Sequence, residues 1–425
     1  MTASQIGYER VEAWVKRYVG PIHRTVLGTV VWVIVCLLVA QRLTPAALAR
    51  AIPASSPGSG RNRLRRVQRW WQGPELEVGW LTPRLIRAAL AFVPQEDVIV
   101  ALDTTRVGGW EIWQAGIVCA GHTLPVAWAV VPYPWPKGRF RQTTLSLVRQ
   151  LQESFPPGQR WVLVADRGFP SAALFGQLLA GQTDWTVRLR LSDWIEVQGT
   201  YALVAEHLEA GRLRPGERVA ATMGRGTTEQ PTVQAWVVVN QVIPLPPQHK
   251  RNPATERERA ARAKARQKHL TQKGRKSRAP SARAQRYAQT WVLFTTAETV
   301  SAAVAGYPLA GDAARMAIEE TFRDWHHGWG LRQAAAQLKS DQAVCRMVGI
   351  VSLAYRLCVE LGVRFSQDER GKARRAQWTV TDRVSSFWCA QHLFQDPGAD
   401  WSTWLAEQWE HLITPDSDVA LEEAA

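Results

Sequence analysis

The sequence predicts an α/β protein with a mixed sheet, a mainly β insertion and helical regions at both ends. Three observations predict it. The apolar runs Val98–Leu102 and Trp161–Ala165 each lead into an aspartate, and they alternate with helical stretches near residues 143–154 and 171–179, as strand–helix–strand units do. Residues 116–131 hold two further β-rich runs with no helix between them, which points to antiparallel strands ahead of those units. The first ninety residues and those after Gln337 lack strand-like runs and read as helical. The chain therefore divides into a helical region (1–92), a first part of the α/β core (93–191), a β-rich insertion with a basic arm (192–289), a second part of the core (290–337) and a helical C-terminal region (338–425).

Taken in order, the N-terminal region offers Thr44 as an N-cap with Pro45 at the first helical position. Its apolar stretch Thr25–Gln41 barely reaches the lower limit of about 17 residues for a membrane span. Trp32 and the β-branched residues around it suit a buried helix, and no membrane is expected. After a Pro/Ser/Gly break at residues 53–60, Arg61, Arg63, Arg65, Arg66 and Arg69 crowd beside Trp70 and Trp71. That density of cations suits phosphate contact, with Arg65, Arg66 and Arg69 as candidates, and it equally suits a solvated helix face over buried tryptophans. The core then begins with the strand into Asp103 and continues through the strand into Asp166, closing on a strand at Trp185–Leu191. The insertion contains the β-like run Thr232–Val239. The core resumes at Trp291–Thr296 and passes into the helix that carries Glu319, and the Trp-rich helical end includes the apolar stretch Ala343–Leu361.

At 425 residues, two or three domains are expected. A formal net charge of +15 and a pI near 10.1 make nucleic acid the leading partner. Between Lys250 and Arg286 stand fourteen Lys or Arg against Glu256 and Glu258, a local net of +12, so most of the charge sits in one arm. Such a run is commonly a solvated segment, and a solvated arm still grips phosphates; Arg262, Arg266, Arg275 and Lys276 are its candidate DNA contacts. Five cysteines are scattered singly, with no close pair and no His at zinc-finger spacing. This fits a reducing cytosol, and with no signal-peptide pattern the expected location is cytoplasmic and nucleoid-associated.

Asp103, Asp166 and Glu319 carry the chemistry. Phosphoryl transfer needs positive charge on the attacking and leaving oxygens, which two hard cations about 4 Å apart supply when shared carboxylates hold them. Two aspartates at strand ends and one helical glutamate suit such a clamp, although an Asp after a strand is often only a loop cap. Arg315, Glu319, Phe322 and His326 fall at i, i+4, i+7 and i+11, one face of a helix, so a cation and a histidine bracket the carboxylate. The plain alternative is an exposed Arg315–Glu319 pair worth a few tenths of a kcal/mol.

Val98–Thr105, Val164–Phe169 and Arg315–Asp324 resemble the three catalytic blocks of bacterial DDE transposases, in particular those of the insertion sequence four family. The resemblance implies a ribonuclease H-like core interrupted by a mainly β insertion, with Asp103, Asp166 and Glu319 binding two Mg2+ ions, for which Mn2+ substitutes. It prefers Glu319 to Glu320 because the family places an Arg four residues before its catalytic Glu. It also places a Tyr three before that Arg and a Lys seven after the Glu, where this sequence has Asp312 and His326; Tyr307 lies too far upstream to fill the first. These departures leave the metal site whole and weaken the accessory grip on the DNA phosphate, leaving Arg315 as the better contact and His326 as a hydrogen-bond donor. Trp291 matches a strand Trp that stacks on a flipped base in relatives, its ordinary alternative being a core position. Arg188 is a further candidate DNA contact.

The function this implies is cut-and-paste transposition. A homodimer pairs terminal inverted repeats of double-stranded DNA, water attack releases a 3′-OH, and the freed end joins target DNA, with a hairpin step as in similar enzymes. Two alternatives are a catalytically decayed, transposase-derived DNA-binding protein and a ribonuclease H-like nuclease that cuts without strand transfer.

Overall fold

The computed structural model describes residues 7–19, 23–52, 59–72, 79–93, 98–240, 290–305, 314–369, 371–372, 385–395, 404, 407–409 and 412. Helices come first: α1 (Tyr8–Val19), α2 (Arg24–Ala40), α3 (Pro45–Ala51), α4 (Gly60–Gln72) and α5 (Thr82–Phe92). The apolar stretch forms α2, which is buried along Val33–Leu38. Among the described residues no single helix is long and apolar enough to cross a membrane; α2 and α3 reach that length only as a pair, bent by 95°. Thr44 caps α3 as expected, its side chain accepting from the Ala47 N–H, while Pro45 occupies a position whose N–H needs no partner. On α4, Val67 and Trp71 turn inward and Arg65, Arg66 and Arg69 are exposed.

Ten strands form one mixed sheet in the order β3-β2-β1-β4-β5-β10-β9-β8-β6-β7. β1 (Val98–Val107), β2 (Trp110–Cys119) and β3 (His122–Pro132) are an antiparallel meander. β4 (Trp161–Ala165) and β5 (Asp184–Arg188) extend it in parallel, reached through α6 (Arg139–Ser154) and α7 (Ala172–Ala180). β10 (Trp291–Thr295) then pairs antiparallel with β5, and β9 (Val233–Asn240), β8 (Arg218–Met223), β6 (Trp194–Val197) and β7 (Thr200–Leu203) follow outward, with α8 (Val204–Glu209) after β7. The β-rich insertion is thus continuous with the core sheet, joined to it by the β9–β10 ladder.

One boundary differs from the sequence expectation. β1 does not end at Asp103: its parallel pairing with β4 stops at Leu102–Ala165, but its antiparallel pairing with β2 runs on to Val107–Trp110. The β-branched Thr104 and Thr105 favour the extended chain. Arg106 holds it there, its guanidinium 3.4 Å from the Tyr133 ring centroid and 3.1 Å from Glu111. Gly108, at φ +57°, makes the tight turn into β2, which therefore starts at Trp110 rather than near Gly116.

Alternation along the strands gives the sheet two unlike faces. One carries Val100, Leu102, Leu163 and Trp185 and packs on α6 and α7; there the Trp113 indole donates to Thr144 at 3.2 Å and Phe175 meets both Trp185 and Phe294. The other carries Asp103. It is covered by α10 (Ala314–Arg323), which follows α9 (Val300–Ala305), and by α12 (Asp341–Gln367), between which lies α11 (Leu331–Ala335). α12 is buried almost throughout and packs beside α13 (Ser386–Gln395). Inside it, Arg356 pairs with Glu360 at 2.6 Å and donates to Leu85 O at 3.1 Å, while the Trp14 indole donates to Glu360 at 3.3 Å. A buried charge pair needs its remaining donors and acceptors engaged, and this one recruits α1 and α5 for most of them, Arg356 Nη2 having no hydrogen-bond partner while the guanidinium lies 4.6 Å from the Tyr18 ring centroid.

Candidate active site

Register brings the two aspartates together. Leu102 pairs with Ala165 in the parallel ladder, so Asp103, still within β1, and Asp166, just past the end of β4, follow side by side from strands about 4.8 Å apart. α10 lies across them. Arg315 Nη1 stands 3.7 Å from Asp103 Oδ2, and Nη2 pairs with Glu319 Oε1 one turn along the helix. The Arg315 side chain is 8% exposed and that of Glu319 42%, so the pair is buried at its cation and open to solvent at its carboxylate. Glu320 pairs with Arg323 instead.

The charges form one unit. Burial pushes the Asp103 carboxyl up to about 7, and Glu319 and Asp166 push it the same way against the Thr104 N–H, which donates at 2.7 Å, and the Arg315 charge. For Arg315, burial works against the cation, but Glu319, Asp166 and Asp103 outweigh it and the guanidinium pKa is raised. Asp166 Oδ1 is buried without a hydrogen-bond partner, with Arg188 Nη1 at 3.7 Å. That guanidinium also lies 4.9 Å from the Trp291 ring centroid, because Arg188 on β5 faces Leu293 on β10, two residues along from Trp291. Arg188 therefore ties Trp291 to the second aspartate. Trp291 is half-buried against a small cluster of Val164, Val238 and Leu293.

His326 sits close to the site by a route the helical spacing did not foresee. After Arg323 the helix widens into a π turn, Asp324–Gly328, so the i+11 position no longer continues the face of Arg315 and Glu319. The ring still reaches β1, its Nε2 2.7 Å from Thr105 Oγ1. Burial, with Arg332 and His327, lowers its pKa to about 4, so the ring is neutral at pH 7 and supplies no cation. Three other positions carry no sequence signal. Gln114 lies directly opposite Asp103 on β2, fully buried, and neither amide atom has a hydrogen-bond partner. Thr321 on α10 meets both the N–H and hydroxyl of Thr123 at 3.1 and 2.9 Å. Tyr355 of α12 donates to Asp324 at 2.9 Å and meets His122 Nδ1 at 2.7 Å. These contacts pin the helix of Glu319 to β3 and α12.

Arg65, Arg66 and Arg69 lie on exposed α4, apart from these side chains. Arg262, Arg266, Arg275 and Lys276, together with Tyr307 and Asp312, lie outside the described residues.

Carboxylate oxygens alone make a donor set for a hard divalent cation. Asp166 Oδ1 makes an ion pair with Arg188 but no hydrogen bond, and burial disfavours the charged Asp103 carboxyl; in this respect the residues fit a divalent ion. As they stand, however, Asp103 and Glu319 share the Arg315 guanidinium while Asp166 faces Arg188, and among the described residues no three His, Cys, Asp or Glu side chains are grouped to hold a metal. No protein-family model and no curated protein matches the chain.

Proposed function

We propose that this chain is a DNA transposase of the DDE type, built on a ribonuclease H-like core, that cuts and joins DNA at Asp103, Asp166 and Glu319. The observation that carries the reading is the approach of these carboxylates: Asp103 and Asp166 each follow a paired position of two adjacent parallel strands, and Glu319, on the helix lying across them, shares one buried arginine with Asp103. The run β3-β2-β1-β4-β5, a meander followed by two parallel strands, supports the core assignment. The basic arm supports DNA as the substrate.

In this reading Asp103, Asp166 and Glu319 hold Mg2+ or Mn2+. Bound there, the ions supply positive charge to the attacking and leaving oxygens of the phosphodiester. The chain's own part is positioning and charge. Thr104 and Arg315 orient Asp103, Arg188 orients Asp166, and Thr321 fixes the rotation of the helix that presents Glu319. Arg315 also suits a phosphate oxygen at the scissile position. Hydrolysis at the element end breaks a P–O bond and leaves a 3′-OH and a 5′-phosphate; the 3′-OH then bonds to a phosphorus of the target and displaces the target's own 3′-oxygen as a hydroxyl, so no covalent protein intermediate is required. The ends are double-stranded terminal repeats paired by a homodimer.

The guanidinium seated among the carboxylates favours the second reading, a decayed transposase that binds DNA without cutting it. Cleavage of labelled DNA carrying the element's ends, with and without Mg2+, separates the two. Magnesium-dependent cuts that Glu319→Ala abolishes while retaining DNA binding support the active enzyme. Specific binding with no cuts by either protein supports the decayed one, and cuts without joining of pre-cleaved ends assign a nuclease.

A further inference from the structure

Beyond the carboxylates, a groove leads away from the Asp166 turn along α7. Its first part is a cavity of about 370 Å3 lined by Lys137, Phe140, Arg141, Phe169 and Ser171, where Phe169 N–H closes the turn on Asp166 O at 3.0 Å. The second part, about 320 Å3, shares Arg141 and Ser171 and ends among Trp194, Tyr201, Arg225 and Glu229. Both are at the lower end of pockets that take small organic groups.

The far end of this groove departs from the rest of the molecule. Large hydrophobics are otherwise buried or half-buried; among the described residues only Leu179, Trp194 and Tyr201 are exposed, the last two at 47% and 40%. Trp194 and Tyr201 come from the β6–β7 hairpin and stack on each other, centroids 5.3 Å apart and planes within 24°. The stack steadies the hairpin as a diagonal cross-strand pair, and it also leaves two large aromatic side chains open to solvent side by side. The β8–β9 turn closes the other side: Gly224, at φ +103°, bears against Pro231, where a Cβ would collide with the carbonyl, and this turn presents Arg225. Lys137, Arg141 and Arg225 are exposed, and none of the three has an ion-pair partner among the described residues. Against them the lining holds one acid, Glu229, and Glu196 faces Tyr201 across the hairpin.

We propose that this groove binds an unpaired DNA strand, with one base stacked on the Trp194–Tyr201 pair and neighbouring phosphates on Arg141 and Arg225. The proposal rests on the transposase reading, which places a severed strand at the carboxylates; the turn that follows Asp166 leads from there to Phe169, where the groove begins. Duplex DNA hides the faces of its bases, whereas a single strand offers them to an aromatic platform. Unpartnered guanidiniums flanking the stack match the phosphates on either side of a base.

The test is fluorescence anisotropy of the full chain with two labelled duplexes, one blunt and one with a short single-stranded extension, at fixed salt. Stacking of one base predicts that wild type prefers the extended duplex by about tenfold or more. Trp194→Ala with Tyr201→Ala loses that preference and keeps the blunt affinity, and Trp194→Phe with Tyr201→Phe retains it. Arg141→Ala with Arg225→Ala, at exposed positions that carry no fold contact, also reduces it. A preference that survives in the double alanine protein overturns the proposal, as does equal binding of the two duplexes by wild type, and either leaves the transposase reading standing. A wild type that binds neither duplex removes that reading as well. A change of oligomeric state in the alanine variant with the strand preference intact assigns the surface to a protein partner and also overturns the proposal.

Discussion

Removing the guanidinium of Arg315 would leave Asp103 and Glu319 without the countercharge they share, with Arg188 remaining only beside Asp166. Breaking a buried pair by deleting one partner typically costs about 3–5 kcal/mol, and the 42% exposure of the Glu319 side chain reduces this. Arg315→Ala is therefore expected to destabilise the protein by about 2 kcal/mol in urea titration without divalent ions. Mg2+ should recover most of that loss, because a cation among the carboxylates replaces the missing charge; no recovery would contradict the metal site. Gln114 makes the opposite case. An unpaired buried amide costs stability, so Gln114→Leu is expected to be neutral or stabilising by up to about 1 kcal/mol. If the amide belongs to the site, DNA cleavage falls at least tenfold in the same variant, and undiminished cleavage would assign Gln114 to the core alone. Asp103, Asp166, Glu319 and Arg315 were legible in the sequence because each has a local signature, an apolar strand before it or a helical spacing beside it. Gln114 and the Arg188–Asp166 contact were not, since cross-strand register decides them and no local pattern records it.

At the scale of elements, the placement of α10 depends on Asp324 in the turn that follows it, which meets Tyr355 of α12 and His122 of β3. Burial pushes Asp324 up to about 7, with the Tyr355 hydrogen bond and Arg323 opposing. Burial, helped by Arg323, lowers His122 to about 4. Their unfolded values are about 3.9 and 6.5. Between pH 4 and 7 the folded state binds more protons at Asp324 than the unfolded state does, so this group's stabilisation falls as pH rises. Between pH 4 and 6.5 the unfolded state binds more at His122, so its contribution rises with pH. The two slopes cancel in the wild type. Relative to it, Asp324→Asn should gain stability as pH rises from 4 to 7, and His122→Gln should lose stability from 4 to 6.5, at up to about 1.4 kcal/mol per pH unit. Thermal unfolding across that range measures both, and parallel profiles in all three proteins would refute the arrangement. This device was not visible in the sequence. Strand runs such as Trp161–Ala165 and Trp291–Thr295 were, through their apolar, β-branched composition, and so was the Thr44 cap. The π turn was not, and it displaced His326 from the face that a regular helix predicts. Nor was the insertion's merger with the core sheet, because which strand a chain segment pairs with is a non-local choice.

For the molecule as a whole, the mixed α/β architecture was legible from the alternation of strand and helix patterns, while the function turns on where the charge lies. The arm from Lys250 to Arg286 contributes +12 of the formal +15, and the exposed arginines of α4 are the other candidate track for DNA. Each phosphate a protein neutralises in a duplex adds about 0.9 to the steepness with which log affinity falls against log salt. Replacing Arg262, Arg266, Arg275 and Lys276 by glutamine should therefore flatten that slope by as much as about 3.6, if every one of the four meets a phosphate. The loss of affinity is then large at low salt and shrinks as salt rises, because the variant has fewer counterions to release. Arg65→Gln, Arg66→Gln and Arg69→Gln together provide the comparison, with a ceiling of about 2.7 by the same rule. A flattened slope in the first variant alone assigns the nonspecific grip to the arm. Flattening only in the second moves the DNA to the N-terminal helices, and an unchanged slope in both contradicts the view that the concentrated charge of this chain meets the DNA backbone.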